Sequence, residues 1–247
     1  MPTAFITGAT SGIGKATAKL FVEDGWRVVG TGRRGDRLNA LSDVLGGERF
    51  LGLPFDVADP AARQDALAGL PPAFAEVDLL VNNAGLALGA EPAHHVDWTD
   101  WARMIEVNVV ALAALTHAML PGLVNRQGMI VNVGSVAGTY PYAGGNVYGA
   151  TKAFVRQFTL GLRADLHGTG VRVTTIEPGM VATEFTAIRR RSTAAADELY
   201  RGMTPLTAED IARTIHWAAT QPPHVNVNLL ELMPTDQSFA GFAVHRH

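Results

Sequence analysis

Apolar positions along the chain fall into two alternating rhythms. Short runs rich in β-branched residues predict strands, and the stretches between them carry apolar residues at helical spacing. The first run, Thr3–Thr7, leads into a helical pattern marked by Ala16, Leu20 and Phe21. Runs at 27–31, 49–55, 77–81, 129–133 and 171–176 repeat the arrangement, and 225–232 closes the series. The intervening patterns predict helices over about 36–45, 61–70, 98–120, from 148 onward, and 208–220, the last with Thr207 as its N-cap. Residues 186–205 are polar and without period, which predicts an irregular substrate lid over about 183–207. Residues 233–247 read as a tail. About seven strands alternating with helices predict an α/β fold: a single domain over 1–247, built as one Rossmann-like, doubly wound parallel sheet with helices on both faces.

Composition narrows the class. Apolar residues make up 47% of the chain and charged residues 17%, which supports a sizeable core and excludes disorder. The net charge is −3 and no basic run exceeds Arg189–Arg191, so nucleic acid is not an expected partner. The chain has no cysteine, which excludes a disulfide framework and a cysteine-based metal site, and no metal is expected. The sequence enters its first strand at once, with no basic and apolar leader before it, so a cytoplasmic protein is expected. The uncharged stretch 107–125 has the length of a membrane span. It contains Asn108, His117 and Pro121, each costly in lipid, so a helix buried in protein is expected there and no membrane partner.

The stretch 135–152 carries the candidate chemistry. It starts just after the run 129–133 and passes into a helix containing Tyr148 and Lys152. Four residues apart, these two lie on one face of that helix, one turn from each other. An ammonium beside a phenol favours the phenolate, so Tyr148 is expected to ionise below its ordinary value of ~10. A tyrosine tuned in that way donates or accepts a proton at a carbonyl or an alcohol. Ser135, at the strand end, is placed to hold the same oxygen. Tyr and Lys at this spacing are also a common solvated pair, so the rest of the chain decides between the two. Asn108 interrupts the apolar face of the helix over 98–120. It is either a structural hydrogen-bond partner or the holder of a water that links the lysine to solvent.

A nucleotide site is indicated upstream. Gly8, Gly12 and Gly14 fall at the first strand-to-helix junction, with Thr10, Ser11 and Ile13 among them. Glycine permits a tight turn and close approach to a ligand, and the N-terminus of the following helix suits a diphosphate. At the end of the second strand, an acidic residue would bind a ribose 2′-hydroxyl, whereas arginine accommodates a 2′-phosphate. The chain offers Arg33 and Arg34 there and no acid before Asp36, which favours NADP as cofactor. Asp56 and Val57 follow the third strand, and Asp56 either contacts an adenine amino group or caps the next turn or helix. Asn82, Asn83, Ala84 and Gly85 end the fourth strand, where small residues and amides either let a flat ring lie on the backbone or form a plain turn. Pro178 and Gly179 mark a turn after the sixth strand.

Taken together, residues 7–14 and 82–85, Ser135, the Tyr148-x-x-x-Lys152 pair and Pro178-Gly179 resemble the short-chain dehydrogenase/reductase family, in family order and over essentially the whole chain. The resemblance implies the strand order 3-2-1-4-5-6-7. It implies a tetrad of Asn108, Ser135, Tyr148 and Lys152: Tyr148 as general acid and base, Ser135 and Tyr148 on the substrate oxygen, Lys152 on the nicotinamide ribose, and Asn108 on a relay water. It further implies that Gly8 to Gly14 cradle the diphosphate and that Pro178, Gly179, Val181 and Thr183 contact the nicotinamide side. Residues 32–34, 86–93, 141–148, 165–168 and 228–238 are similar to a branch of NADP-dependent 3-hydroxy acid dehydrogenases, which act as homotetramers on serine, allo-threonine and related acids. The branch implies oxidation of the 3-hydroxyl of a small 3-hydroxy acid, 3-hydroxypropionate included, or reduction of the matching semialdehyde. A general carbonyl or 3-ketoacyl reductase of the same family is the alternative. A non-catalytic NADP-binding regulator fits less well, because a sensor has no need of the Tyr–Lys pair. Helices apolar on more than one side, and Phe239 and Phe242 in the tail, are expected at subunit contacts. Arg189, Arg190, Arg191 and Arg201 in the lid are candidate partners for a substrate carboxylate.

Overall fold

The structure, a computed structural model, describes residues 1–240 and 243–247. Strands β1 (Thr3–Thr7), β2 (Arg27–Gly32), β3 (Phe50–Pro54), β4 (Leu79–Asn82), β5 (Met129–Val133), β6 (Arg172–Pro178) and β7 (Leu229–Leu232) form one parallel sheet, ordered β3-β2-β1-β4-β5-β6-β7. Parallel neighbours need crossovers, and helices supply them: α1 (Gly12–Glu23), α2 (Gly35–Leu45), α3 (Pro60–Ala68), the single turn α4 (Pro72–Ala75), α5 (Trp98–Ile105), α6 (Leu112–Arg126), α7 (Asn146–Asp165), α8 (Glu184–Arg190), α9 (Thr193–Tyr200) and α10 (Ala208–Ala219). A π-helical segment, Glu106–Ala111, joins α5 to α6 without a break.

Alternate residues of each strand feed two cores. In β1, Ala4 and Ile6 pack with Phe21 of α1 and with Ile211 and Ile215 of α10, while Phe5 points the other way, toward Leu115 and Leu123 of α6. Val81 and Val131 follow the first pattern, Leu80 and Ile130 the second. Burial on both faces is why these runs read as continuously apolar rather than alternating. The helix Trp98–Arg126 is long and apolar enough, by length and composition, to cross a membrane. Its inner face lies against the sheet through Leu115, Met119 and Leu123.

Three regions differ from the sequence expectation. Residues 186–205 are mostly helical. Thr183 and Ser192, which read as loop, are N-caps whose hydroxyls accept from the N–H groups of Phe185 and Ala195. Helices of 7 and 8 residues carry too few apolar positions to display a period. The last strand is shorter than 225–232, because the Asn226 side chain stands in for the ladder, accepting from Val173 N–H (2.8 Å) and donating to its carbonyl (3.1 Å). The tail folds back on its own chain: Asp236 accepts from Thr204 N–H (2.7 Å) and Gln237 from Met180 N–H (2.8 Å). Phe239 stacks on Tyr140 at 5.2 Å and stays exposed; Phe242 lies outside the described residues.

Candidate active site

Strand order reverses between β1 and β4, and open α/β sheets bind ligands in the crevice beyond such strand ends. A cleft of about 770 Å³ opens there, lined by the loops that follow β1 to β6. At one end Gly8, Thr10, Ser11, Gly12 and Ile13 line it. Gly8 and Gly12 hold φ of 72° and 50°, the left-handed region that favours glycine. Gly14 sits behind the wall, where a β-carbon would collide with the Gly8 carbonyl, so it lets α1 close on the loop. Thr7 Oγ1 accepts from the N–H groups of Asn83 (3.0 Å) and Ala84 (2.9 Å), and Asn83 Nδ2 donates to the Thr7 carbonyl (2.8 Å). These bonds lock the glycine loop to the end of β4. Asn83, Ala84 and Gly85 line the cleft. Asn82 turns away from it: its buried amide donates to Thr116 Oγ1 (2.9 Å) and Asn132 Oδ1 (2.8 Å) and ties the sheet to α6.

Arg33 and Arg34 stand at the open end, with Asp56 and Val57 beside them. Arg34 donates to Thr10 (2.9 Å), Ser11 (2.8 Å) and the Glu184 carboxylate (2.8 Å), and Glu184 also takes Arg37 (2.7 Å). Glu184 opens α8, so the lid helix is hooked to the arginine end of the cleft. Asp56 accepts from Ala58 N–H (3.0 Å) and pairs with Arg103. Burial pushes its carboxyl up, but those bonds outweigh it and hold the group below the usual range. Sequence reasoning singled out neither Glu184 nor Arg103. Their partners lie 150 and 47 positions away in the chain, so no local spacing announces them.

At the other end, the π-helical segment carries Asn108. Such segments often occur where a helix reshapes itself around a site. Asn108 Oδ1 accepts from Leu86 N–H (2.9 Å), and Nδ2 donates to the Leu86 carbonyl (2.8 Å) and Thr151 Oγ1 (3.1 Å). Lys152 Nζ donates to the Val133 carbonyl (2.8 Å). A β-carbon on Gly85 would lie 3.3 Å from Asn108 Oδ1 and 3.5 Å from Lys152 Nζ, so both groups converge on that backbone. Ser135 caps a short 3₁₀ turn, with Oγ accepting from Ala137 N–H (3.2 Å) and donating to the Pro178 carbonyl (3.4 Å). Tyr148 is buried, with Phe185 5.7 Å from its ring. Pro178, Gly179, Val181 and Thr183 line the far wall. Gln237, from the tail, braces that wall; a β-carbon on Gly179 would strike its amide oxygen.

The electrostatics correct one expectation. Burial pushes the Tyr148 hydroxyl well above the ordinary tyrosine value and Tyr142 adds to this, while Ser135 and Arg189 pull it back. Burial also pushes Lys152 down, to about 8. Lys152 aims at the Val133 carbonyl and approaches Tyr148 only from its ring, 5.9 Å from the centroid. Desolvation, not the lysine charge, therefore governs the pair in this structure.

A crevice with a glycine loop at one end and a buried tyrosine and lysine at the other is the architecture of a dinucleotide-dependent oxidoreductase. A family model described as short chain dehydrogenase matches residues 2–194, and the chain belongs to that family. Its relatives include a protein of Rhizobium radiobacter named serine 3-dehydrogenase, 59% identical over 245 residues that span 99% of this chain and 98% of the relative. Another is the NADP-dependent 3-hydroxy acid dehydrogenase YdfG of Escherichia coli K12, 51% identical over 244 residues and 98% of each chain. A solved structure described as the closed form of serine dehydrogenase complexed with NADP+ is 50% identical, with a TM-score of 0.95 over 99% of this chain and 100% of that one.

Proposed function

We propose that the protein is an NADP-dependent oxidoreductase. It oxidises the 3-hydroxyl of small 3-hydroxy acids of the serine, allo-threonine and 3-hydroxypropionate type, or reduces the matching semialdehyde. The observation that carries this reading is near-complete coverage of relatives named for that chemistry, at 59% and 51% identity. The cleft suits the cofactor: left-handed glycines and Ser11 for the diphosphate, Arg33 and Arg34 for a 2′-phosphate, Asp56 and Val57 for the adenine end. Asn83 to Gly85 and Pro178 to Thr183 take the nicotinamide half. When bound, the cofactor supplies the hydride acceptor or donor.

The chain's own residues handle the oxygen and its proton. Tyr148 accepts the hydroxyl proton on oxidation and returns it on reduction. Ser135 holds the same oxygen and keeps the reacting carbon in place. Lys152, braced by the Val133 carbonyl, supports the nicotinamide ribose, and Asn108 anchors the backbone around a relay water. For 3-hydroxypropionate, kcat/KM should exceed that for its methyl ester by about 10²-fold or more, the worth of one or two charge-assisted hydrogen bonds. Equal values, or a preference for neutral ketones, would favour the general carbonyl reductase instead.

Homotetramer assembly and a cytoplasmic location belong to the same proposal. Exposed Trp98, Ile105 and Val110 on the long helix, and Phe154 and Leu160 on the neighbouring α7, support assembly. Phe154 also stacks on Phe158 at 5.4 Å, and large apolar side chains exposed on adjacent helices are what a covered surface presents. Light scattering at micromolar concentration should give four times the chain mass of 26.2 kDa. A monomer would contradict it.

A further inference from the structure

The four lid arginines part ways in the fold. Arg191 pairs with Asp100 (2.8 Å) and Arg201 with Glu198 (2.7 Å), both on the surface. Arg190 is exposed. Arg189 turns inward from α8 and is half-buried in the cleft wall. Its Nε donates to the Gly89 carbonyl (3.1 Å), Nη1 to the Tyr142 hydroxyl (2.5 Å) and Nη2 to the Gly144 carbonyl (2.8 Å). Its guanidinium carbon lies 5.2 Å from the Tyr142 ring centroid and 5.6 Å from that of Tyr148.

This cage is built rather than incidental. Gly89 and Gly144, whose carbonyls accept from Arg189, both hold left-handed φ, 73° and 76°. A β-carbon on Gly144 would strike the Ala90 carbonyl, so the two loops that present these carbonyls are pressed together. All three acceptors are neutral. Guanidinium has five N–H donors, so one remains on each Nη. Among the described residues no carboxylate is within ion-pair distance of Arg189, and Glu91, which feels its charge, is bonded to Ala90 N–H. A partly desolvated cation held by neutral groups is poised to gain most from an arriving anion.

We infer that Arg189, held in place by Tyr142, is the residue that binds the substrate carboxylate and sets the preference for acids. The inference rests on the 3-hydroxy acid reading above. The carboxylate of such a substrate stands two carbons from the hydroxyl at Tyr148, and Arg189 is the lid cation packed on the Tyr148 ring. The two uncommitted N–H groups would take the two carboxylate oxygens, fixing orientation as well as charge. Neutral alcohols of the same size would lose that contact.

The test compares the parent enzyme with Arg189→Met, which keeps length and removes charge, and with Arg189→Lys and Arg191→Ala. Substrates are 3-hydroxypropionate and its methyl ester, and propionate serves as a competitive inhibitor that reads binding without turnover. Arg189→Met should lose about 10²–10³-fold in kcat/KM on the acid, from two charge-assisted hydrogen bonds. The ester should change by less than about 5-fold, propionate inhibition should vanish, and NADP affinity should hold. Arg189→Lys should recover part of the acid activity, and Arg191→Ala should match the parent. An equal fall on acid and ester, or an unchanged acid preference in Arg189→Met, would overturn the assignment. If the parent itself fails to prefer the acid, the substrate reading fails, which is a separate outcome.

Discussion

Replacing Tyr148 with Phe should lower kcat/KM by about 10²–10⁴-fold, the usual worth of one positioned general acid or base. The melting temperature and the NADP affinity should stay near the parent values. The substitution keeps the ring that packs against Phe185 at 5.7 Å and removes only the hydroxyl. No neighbour replaces it. The Ser135 hydroxyl is far too weak a base, and Lys152 is committed to the Val133 carbonyl at 2.8 Å. The pH profile carries a second signature. Burial raises the Tyr148 hydroxyl, and oxidation needs it deprotonated, so the parent's rate of alcohol oxidation should climb from neutral into alkaline pH. The Phe variant should lose that limb. Turnover within a few-fold of the parent would remove Tyr148 from the mechanism.

The fold was legible in the sequence because its strands are buried on both sides. Thr3–Thr7 and Met129–Val133 show no polar alternation, which a solvent-facing sheet would impose. The candidate site was legible where its residues are close in sequence, as in the glycine loop and the Tyr148–Lys152 spacing, which line one cleft. It was illegible where tertiary placement decides. Asn82 and Asn83 are adjacent, yet only the second faces the cleft. Asn82 is the last residue of β4, in register with Asn132, and its side chain follows the pleat away from the site. The tyrosine's ionisation is illegible in the sequence for a related reason. Spacing reveals a neighbouring charge, but it does not reveal full burial, and burial dominates here. Arg189 meets Gly89 across 100 residues; in the sequence it is one arginine in a run of three.

Replacing both Arg33 and Arg34 with Ala should cut the preference for NADP over NAD by about 10²-fold or more, through the KM for NADP. A charge-assisted hydrogen bond to phosphate contributes roughly 1.5–3 kcal/mol, and two such bonds exceed 10²-fold in affinity. In the structure Arg34 already has an acidic partner, Glu184, at 2.8 Å, with side-chain exposures of 37% and 44%. An ion pair that exposed is worth at most ~1 kcal/mol, so a doubly charged 2′-phosphate should displace it. Glu184→Gln should then bind NADP slightly more tightly than the parent, because the competing carboxylate is gone. The NAD measurement is the internal control. Glu184 keeps Arg37 as a second partner at 2.7 Å, so α8 stays hooked when Arg34 is lost; the KM for NAD should rise far less than that for NADP, through the lost bonds to Thr10 and Ser11 alone. A parallel rise in both constants would mean that the arginines hold the lid rather than the phosphate. No change in either constant would mean that they serve only the surface.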